Sequence, residues 1–105
     1  MGKLKFAALH RTENGIQFLM REGRTVEHNL ISLGAYKNVT KDDTVEWFVV
    51  ELSSGLSIAS GQTYNEAVKA AKDRIQEVGL DKIRLAAEKS IKAHGIAPGR
   101  RISYL

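Results

Sequence analysis

The chain has 105 residues, of which 43% are hydrophobic and 27% are charged, and these values are typical of one folded globular domain. It contains no cysteine, which excludes disulfides, thiolate metal sites and cysteine nucleophiles and favours a reducing compartment. The net charge of +4 comes from residues 61–105, since residues 1–60 carry equal numbers of acidic and basic side chains. A basic half of this kind indicates a polyanionic partner such as nucleic acid.

The first residues give no sign of export. Charges interrupt the segment from Met1 to Arg11 before an apolar run of signal-peptide length develops. No segment approaches the roughly 20 apolar residues of a membrane span. We therefore expect a cytoplasmic protein that forms one domain over residues 1–105 and has no membrane partner.

The first predicted unit is a β-hairpin. Residues 4–12 and 16–20 have the composition of strands, and the turn signal between them is Asn14-Gly15. Both residues tolerate the positive φ of a type I′ turn, so they are predicted to form a two-residue loop.

This loop sets a register in which Leu9 lies opposite Met20. One side of the hairpin is then predicted to face the core, and it consists of Ala7, Leu9, Ile16, Phe18 and Met20. A three-residue loop is the alternative, and it brings Phe6, Ala8 and Leu19 into question because a one-residue slip reverses the two faces.

The next segment is predicted to turn and to extend again. Arg21-Glu22-Gly23-Arg24 is interpreted as a second tight turn, followed by a strand over residues 25–33. Residues 34–44 are interpreted as a loop with one helical turn after Thr40.

The clearest strand covers residues 45–52. It is rich in β-branched and aromatic residues and is apolar on both faces at its centre, so it is predicted to lie inside the sheet under a helical layer. Ser53-Ser54-Gly55 is predicted to turn the chain into a further strand over residues 56–60.

The hydrophobic period then changes from two to about 3.6. Thr63 and Glu66 have the spacing of a capping box, which predicts a helix that ends at Gly79. Asp81 is predicted to cap a second helix over residues 82–94.

Together these elements predict an α+β fold. Its antiparallel sheet has four or five strands built from hairpins, and two C-terminal helices cover one face of it. Residues 1–60 form the β-rich part, residues 61–95 the two helices and residues 96–105 a basic tail.

The sequence offers no catalytic constellation. The three histidines lack the i, i+4 spacing of a helical zinc site, and no serine lies in a Gly-x-Ser-x-Gly motif. The acidic residues Asp42, Asp43, Glu46 and Glu51 are predicted to lie on the surface. We expect no enzyme, no metal, no cofactor and no small-molecule site.

Basic side chains in the helical half are the candidate contacts for a partner. Arg84 is predicted to be partly neutralised by Glu88, and Lys69 by Glu66 or Asp73, through helical i, i+3 and i, i+4 spacing. The candidate nucleic-acid contacts are the less compensated residues Lys82, Lys89, Lys92, Arg100 and Arg101.

The sequence therefore predicts a small non-enzymatic binding protein, in the role of a bacterial, plasmid or phage accessory protein that contacts nucleic acid through a basic helical face. The alternative is a protein interaction or inhibitor module that acts through an exposed sheet face or an edge strand, or as a homodimer.

Overall fold

Five antiparallel strands form one sheet in chain order, and two helices follow them. The strands are β1 (Leu4–Thr12), β2 (Gly15–Val26), β3 (Leu33–Val39), β4 (Val45–Glu51) and β5 (Leu56–Gly61), and the helices are α1 (Tyr64–Val78) and α2 (Leu80–His94). The computed structural model describes residues 4–28, 30–39 and 42–98. The predicted α+β class, with its hairpin-built sheet and two C-terminal helices, is confirmed.

One face of the sheet is covered by the helices. α1 packs along β5, β4 and β3, and α2 adds Ile83 to the same core. The buried residues of this core include Val26, Leu33, Ala35, Val49, Ile58, Ala67, Ala71 and Ile75. The predicted start of α1 is confirmed, since the Thr63 hydroxyl oxygen accepts from the Glu66 N–H at 3.1 Å.

The other face is concave and has a core of its own. Its buried residues are Phe6, Ala8, Tyr36, Val50 and Leu52. The sheet curls into a half-barrel, so that β1 reaches the turn after β4, where the Leu9 N–H donates to the Gly55 carbonyl at 2.9 Å. β4 therefore has core on both faces, as its apolar centre predicts.

The register of the first hairpin differs from the predicted one. Thr12 pairs with Gly15, so the loop consists of the two residues between them, and Leu9 lies opposite Phe18 rather than Met20. The shift is two residues, and an even shift leaves the same side chains together on each face.

The side of this hairpin that was predicted to face the core is only partly buried. Ala7 is fully buried, whereas Ile16 is 44% and Met20 60% exposed, so the prediction is wrong for these two residues. The reason is the short pairing of β2 with β3, which covers only residues 23–26 of β2 and leaves the rest of the hairpin beyond it.

The turn predicted at Arg21-Glu22-Gly23-Arg24 is wrong, because β2 continues through it. Gly23 is needed for a close approach of β2 to β3, since a Cβ atom there would lie 1.9 Å from the Ala35 carbonyl oxygen.

The loop predicted over residues 34–44 is wrong in its first half, which belongs to β3. The helical turn predicted after Thr40 begins outside the described residues.

A single residue, Gly79, joins the two helices. Its φ of 97° ends α1, and its carbonyl accepts from the N–H groups of Lys82 and Ile83 at 3.1 and 3.2 Å. The predicted cap at Asp81 is wrong, because α2 begins at Leu80 and Asp81 lies in its first turn.

The predicted surface position of Glu51 is also wrong, since this residue is fully buried. Its carboxylate accepts from the Ser53 N–H at 2.8 Å, the Ser54 N–H at 3.0 Å and the Ser53 hydroxyl at 2.6 Å. The turn after β4 therefore closes around a buried carboxylate. Asp42 and Asp43 are exposed, as predicted.

Candidate functional site

The solvent side of α2 carries the three predicted lysines. Ile83 and Ala87 are the buried residues of this helix, and helical geometry places Lys82 and Lys89 on the opposite side, about 10 Å apart along the axis. Lys92 lies on the next turn beside them, and all three lysines are exposed. We call Lys82, Lys89 and Lys92 the lysine face.

Arg100 and Arg101, the two predicted contacts in the basic tail, lie outside the described residues. The structure therefore brings together three of the five predicted contacts. Half-exposed Leu85 lies within the lysine face, and acidic Asp81 and Glu88 follow one flank of it.

Hydrogen bonds near the start of α2 and just beyond its end hold the helix on the domain, with the lysine face outward. Near its start, the Arg84 guanidinium donates from Nη2 to the Leu30 carbonyl at 3.0 Å. Just beyond its end, the Ala97 N–H donates to the Ser53 carbonyl at 2.8 Å, and Ala97 is buried. The helix thus has a fixed place on the domain, and its lysines point away from it.

Lys69 on α1 illustrates a neutralised charge. Its Nζ lies 2.9 Å from the Asp73 carboxylate, which confirms the predicted i, i+4 pair. The hydrogen bond to Asp73 raises the pKa of Lys69. This cation is therefore already engaged within its own helix.

A second group of basic and aromatic side chains lies between β2, β4 and the start of α1. The Arg24 guanidinium lies 5.5 Å from the Trp47 ring centroid and 4.8 Å from that of Tyr64, and the two rings meet edge to face at 5.3 Å. These contacts join three elements. Because the guanidinium occupies ring faces that a stacked base would need, this cluster is structural rather than a stacking platform.

A third polar group lies on the concave face, where His10, Arg21 and Tyr36 meet. His10 Nε2 accepts from Arg21 Nε at 3.3 Å and lies 3.1 Å from the Tyr36 hydroxyl. Because an arginine only donates, Nε2 is the acceptor in the contact with Arg21. The Tyr36 ring also stacks on Phe48 at 5.4 Å and lies under the Arg21 guanidinium.

The titration of these groups follows from their packing. Burial and the neighbouring Arg21 charge lower the pKa of His10, and burial, the largest cause, raises the pKa of Tyr36. Both side chains are therefore neutral near pH 7. The cluster packs against the inner core, since the Tyr36 ring meets the buried Phe6 ring edge to face at 6.0 Å.

This cluster predicts a fall in stability at mildly acidic pH. In the folded state His10 has a pKa below its ordinary 6.5, so the unfolded chain binds more protons as the pH drops through that value. The free energy of unfolding should therefore decrease below about pH 6.5 and level off below the folded pKa. Urea denaturation between pH 8 and pH 5 measures this slope.

His10→Gln should reduce that slope, because Gln keeps an acceptor for Arg21 and does not titrate. His94→Gln, at an exposed position in the last turn of α2, is the matched control and should keep it. Parallel curves for the wild type and His10→Gln would show that His10 is not the group responsible.

The elements described above define a small α+β domain. Within the described residues no three potential ligand side chains converge on a metal position, and no helix there is long and apolar enough to cross a membrane. Comparison with protein-family models, with curated proteins and with solved structures gives no significant match.

Proposed function

We propose that this protein binds nucleic acid through the lysine face of α2, without enzymatic activity. The observation that carries the proposal is the shared, exposed position of Lys82, Lys89 and Lys92 on a helix whose opposite side is anchored to the domain. Arg100 and Arg101 follow the same helix in sequence and extend the proposed contact.

The chemistry of lysine determines what kind of binding this is. Each ammonium group is a point charge that suits phosphate oxygens and carries no information about base sequence. Contacts of this type release condensed counterions, so affinity depends strongly on salt and little on sequence. We therefore propose a backbone-binding accessory protein rather than a sequence reader.

The test is a triple variant, Lys82→Gln, Lys89→Gln and Lys92→Gln, titrated against a short DNA duplex and an RNA or DNA single strand. For the wild type, the logarithm of the association constant should fall with the logarithm of salt concentration, with a slope of about −0.9 per phosphate contact on duplex. The triple variant should lose at least about tenfold in affinity, and its slope should shrink by about 3.

A second triple variant with the same net charge is the matched control. It combines Lys5→Gln, Arg11→Gln and Lys69→Gln, all at exposed positions away from α2. The control variant should lose much less affinity than the variant of the lysine face. Equal losses in both triple variants, or wild-type binding that is insensitive to salt, would contradict the proposal. The double variant Arg100→Gln, Arg101→Gln measures how much these two arginines contribute to the affinity.

A further inference from the structure

Near the hairpin, no strand among the described residues covers the outer edge of β2. β1 pairs with β2 along one side from Gly15 onward, whereas β3 joins the other side only at residues 23–26. Within the described residues no strand pairs with that second side between Gly15 and Arg21. This stretch is a strand edge of the kind that recruits a further strand.

The backbone groups at this edge point outward at alternate residues. The Leu9 N–H donates to Gly55, on the side of β1 away from β2, so Leu9 and Phe18 face each other as a pair without mutual hydrogen bonds. Phe18 therefore directs its N–H and C=O away from β1. By alternation, Ile16 and Met20 do the same.

The side chains at this edge are apolar and lack protective features. Ile16 is 44% and Met20 60% exposed, Leu19 is 38% exposed, and Phe18 is half-buried. The stretch from residue 15 to residue 20 carries no charge and no proline, which are the usual means of blocking an edge. Pairing with a further strand removes the apolar side chains of such an edge from water and satisfies its unpaired backbone groups.

We infer that the partner strand is β2 of a second copy of this chain, paired antiparallel about a twofold axis at Phe18. In that arrangement Ile16 lies opposite Met20 of the partner subunit, and the outward N–H and C=O groups of both strands exchange hydrogen bonds. Arg21 lies opposite Gly15 of the partner subunit. No like charges meet, and the apolar side chains of both copies cover each other.

This proposal rests on a different surface from the lysine face and does not depend on nucleic-acid binding. Sedimentation velocity over a range of concentrations should show a dimer. Met20→Lys places a charge opposite the partner's Ile16 and should weaken the dimer at least about tenfold. Leu85→Lys, at a 50% exposed position on α2, is the control and should leave the dimer intact.

Met20→Pro tests the backbone contact itself. The Met20 N–H points away from β1, so proline removes a donor from the edge and none from the hairpin. This variant should be a monomer with the circular dichroism spectrum of the wild type. If Met20→Pro loses that spectrum, Met20→Lys alone decides the question.

The register can be read by disulfide formation, because the chain has no cysteine of its own. In the proposed pairing Gln17 faces Leu19 of the partner subunit across a close pair. The double variant Gln17→Cys, Leu19→Cys should form a covalent dimer on oxidation, and neither single variant should. A wild-type monomer at every concentration, or a dimer that persists in both Met20 variants, would overturn the proposal.

Discussion

Gly23→Ala is expected to lower the free energy of unfolding by about 3 kcal/mol or more, although it adds one methyl group. The new Cβ would lie 1.9 Å from the Ala35 carbonyl oxygen and 3.1 Å from the Tyr36 Cα, both of which belong to the backbone of β3. Relief requires β2 and β3 to separate by about 1 Å or more, and rigid backbone cannot yield as a side chain does.

Urea and thermal denaturation measure this effect, and the melting temperature should fall by about 10 °C or more. Gly95→Ala is the matched control, because Gly95 has a φ of 89° and no heavy atom near its missing Cβ. It should cost about 1–3 kcal/mol through backbone strain alone, because a φ of 89° with a ψ of 170° is a conformation nearly exclusive to glycine. Equal losses in the two variants would contradict the close approach of β2 to β3.

Gly23 also shows why part of the fold could not be predicted from the sequence. A glycine between charged residues has the same local signature in a tight turn as in a strand that another backbone approaches closely. What distinguishes the two cases is the nearby backbone of Ala35, and the sequence does not show that Ala35 lies beside Gly23. Where the signal is local, as in the helix start at Thr63 or the apolar run of β4, the prediction is confirmed.

The candidate site divides in the same way. Lys82 and Lys89 share a face because seven residues make nearly two helical turns, so periodicity alone predicts their placement. The clusters around Arg24 and Tyr36 depend on strand register and on the curl of the half-barrel. No spacing in the sequence marks His10 as a neighbour of Tyr36, since 26 residues separate them.

Exposure of the first hairpin is a further property of the whole fold. The pattern of Ile16, Phe18 and Met20 correctly predicts a shared apolar side. Whether that side is buried depends on how far β3 extends along β2, and β3 pairs only with its last residues. An apolar side left uncovered in this way is the basis of the proposed dimer.

Glu51→Ala is expected to cost about 3 kcal/mol or more, because it removes the acceptor for two backbone N–H groups and a hydroxyl in a buried turn. The Gly55 and Ser53 carbonyls of this turn also accept from Leu9 and Ala97. Loss of the carboxylate should therefore loosen the closure of β1 and the segment after α2 together.

Amide hydrogen exchange separates this account from a general loss of stability. Under native conditions Glu51→Ala should reduce protection at the Leu9 and Ala97 amides more than at the centre of α1. Glu51→Gln keeps one acceptor oxygen and should lie between the wild type and the alanine variant. Glu46→Ala, at a half-buried position on the same strand, should cost less than about 1 kcal/mol. Uniform loss of protection across the sheet and α1 would show that the turn is not the local closure point.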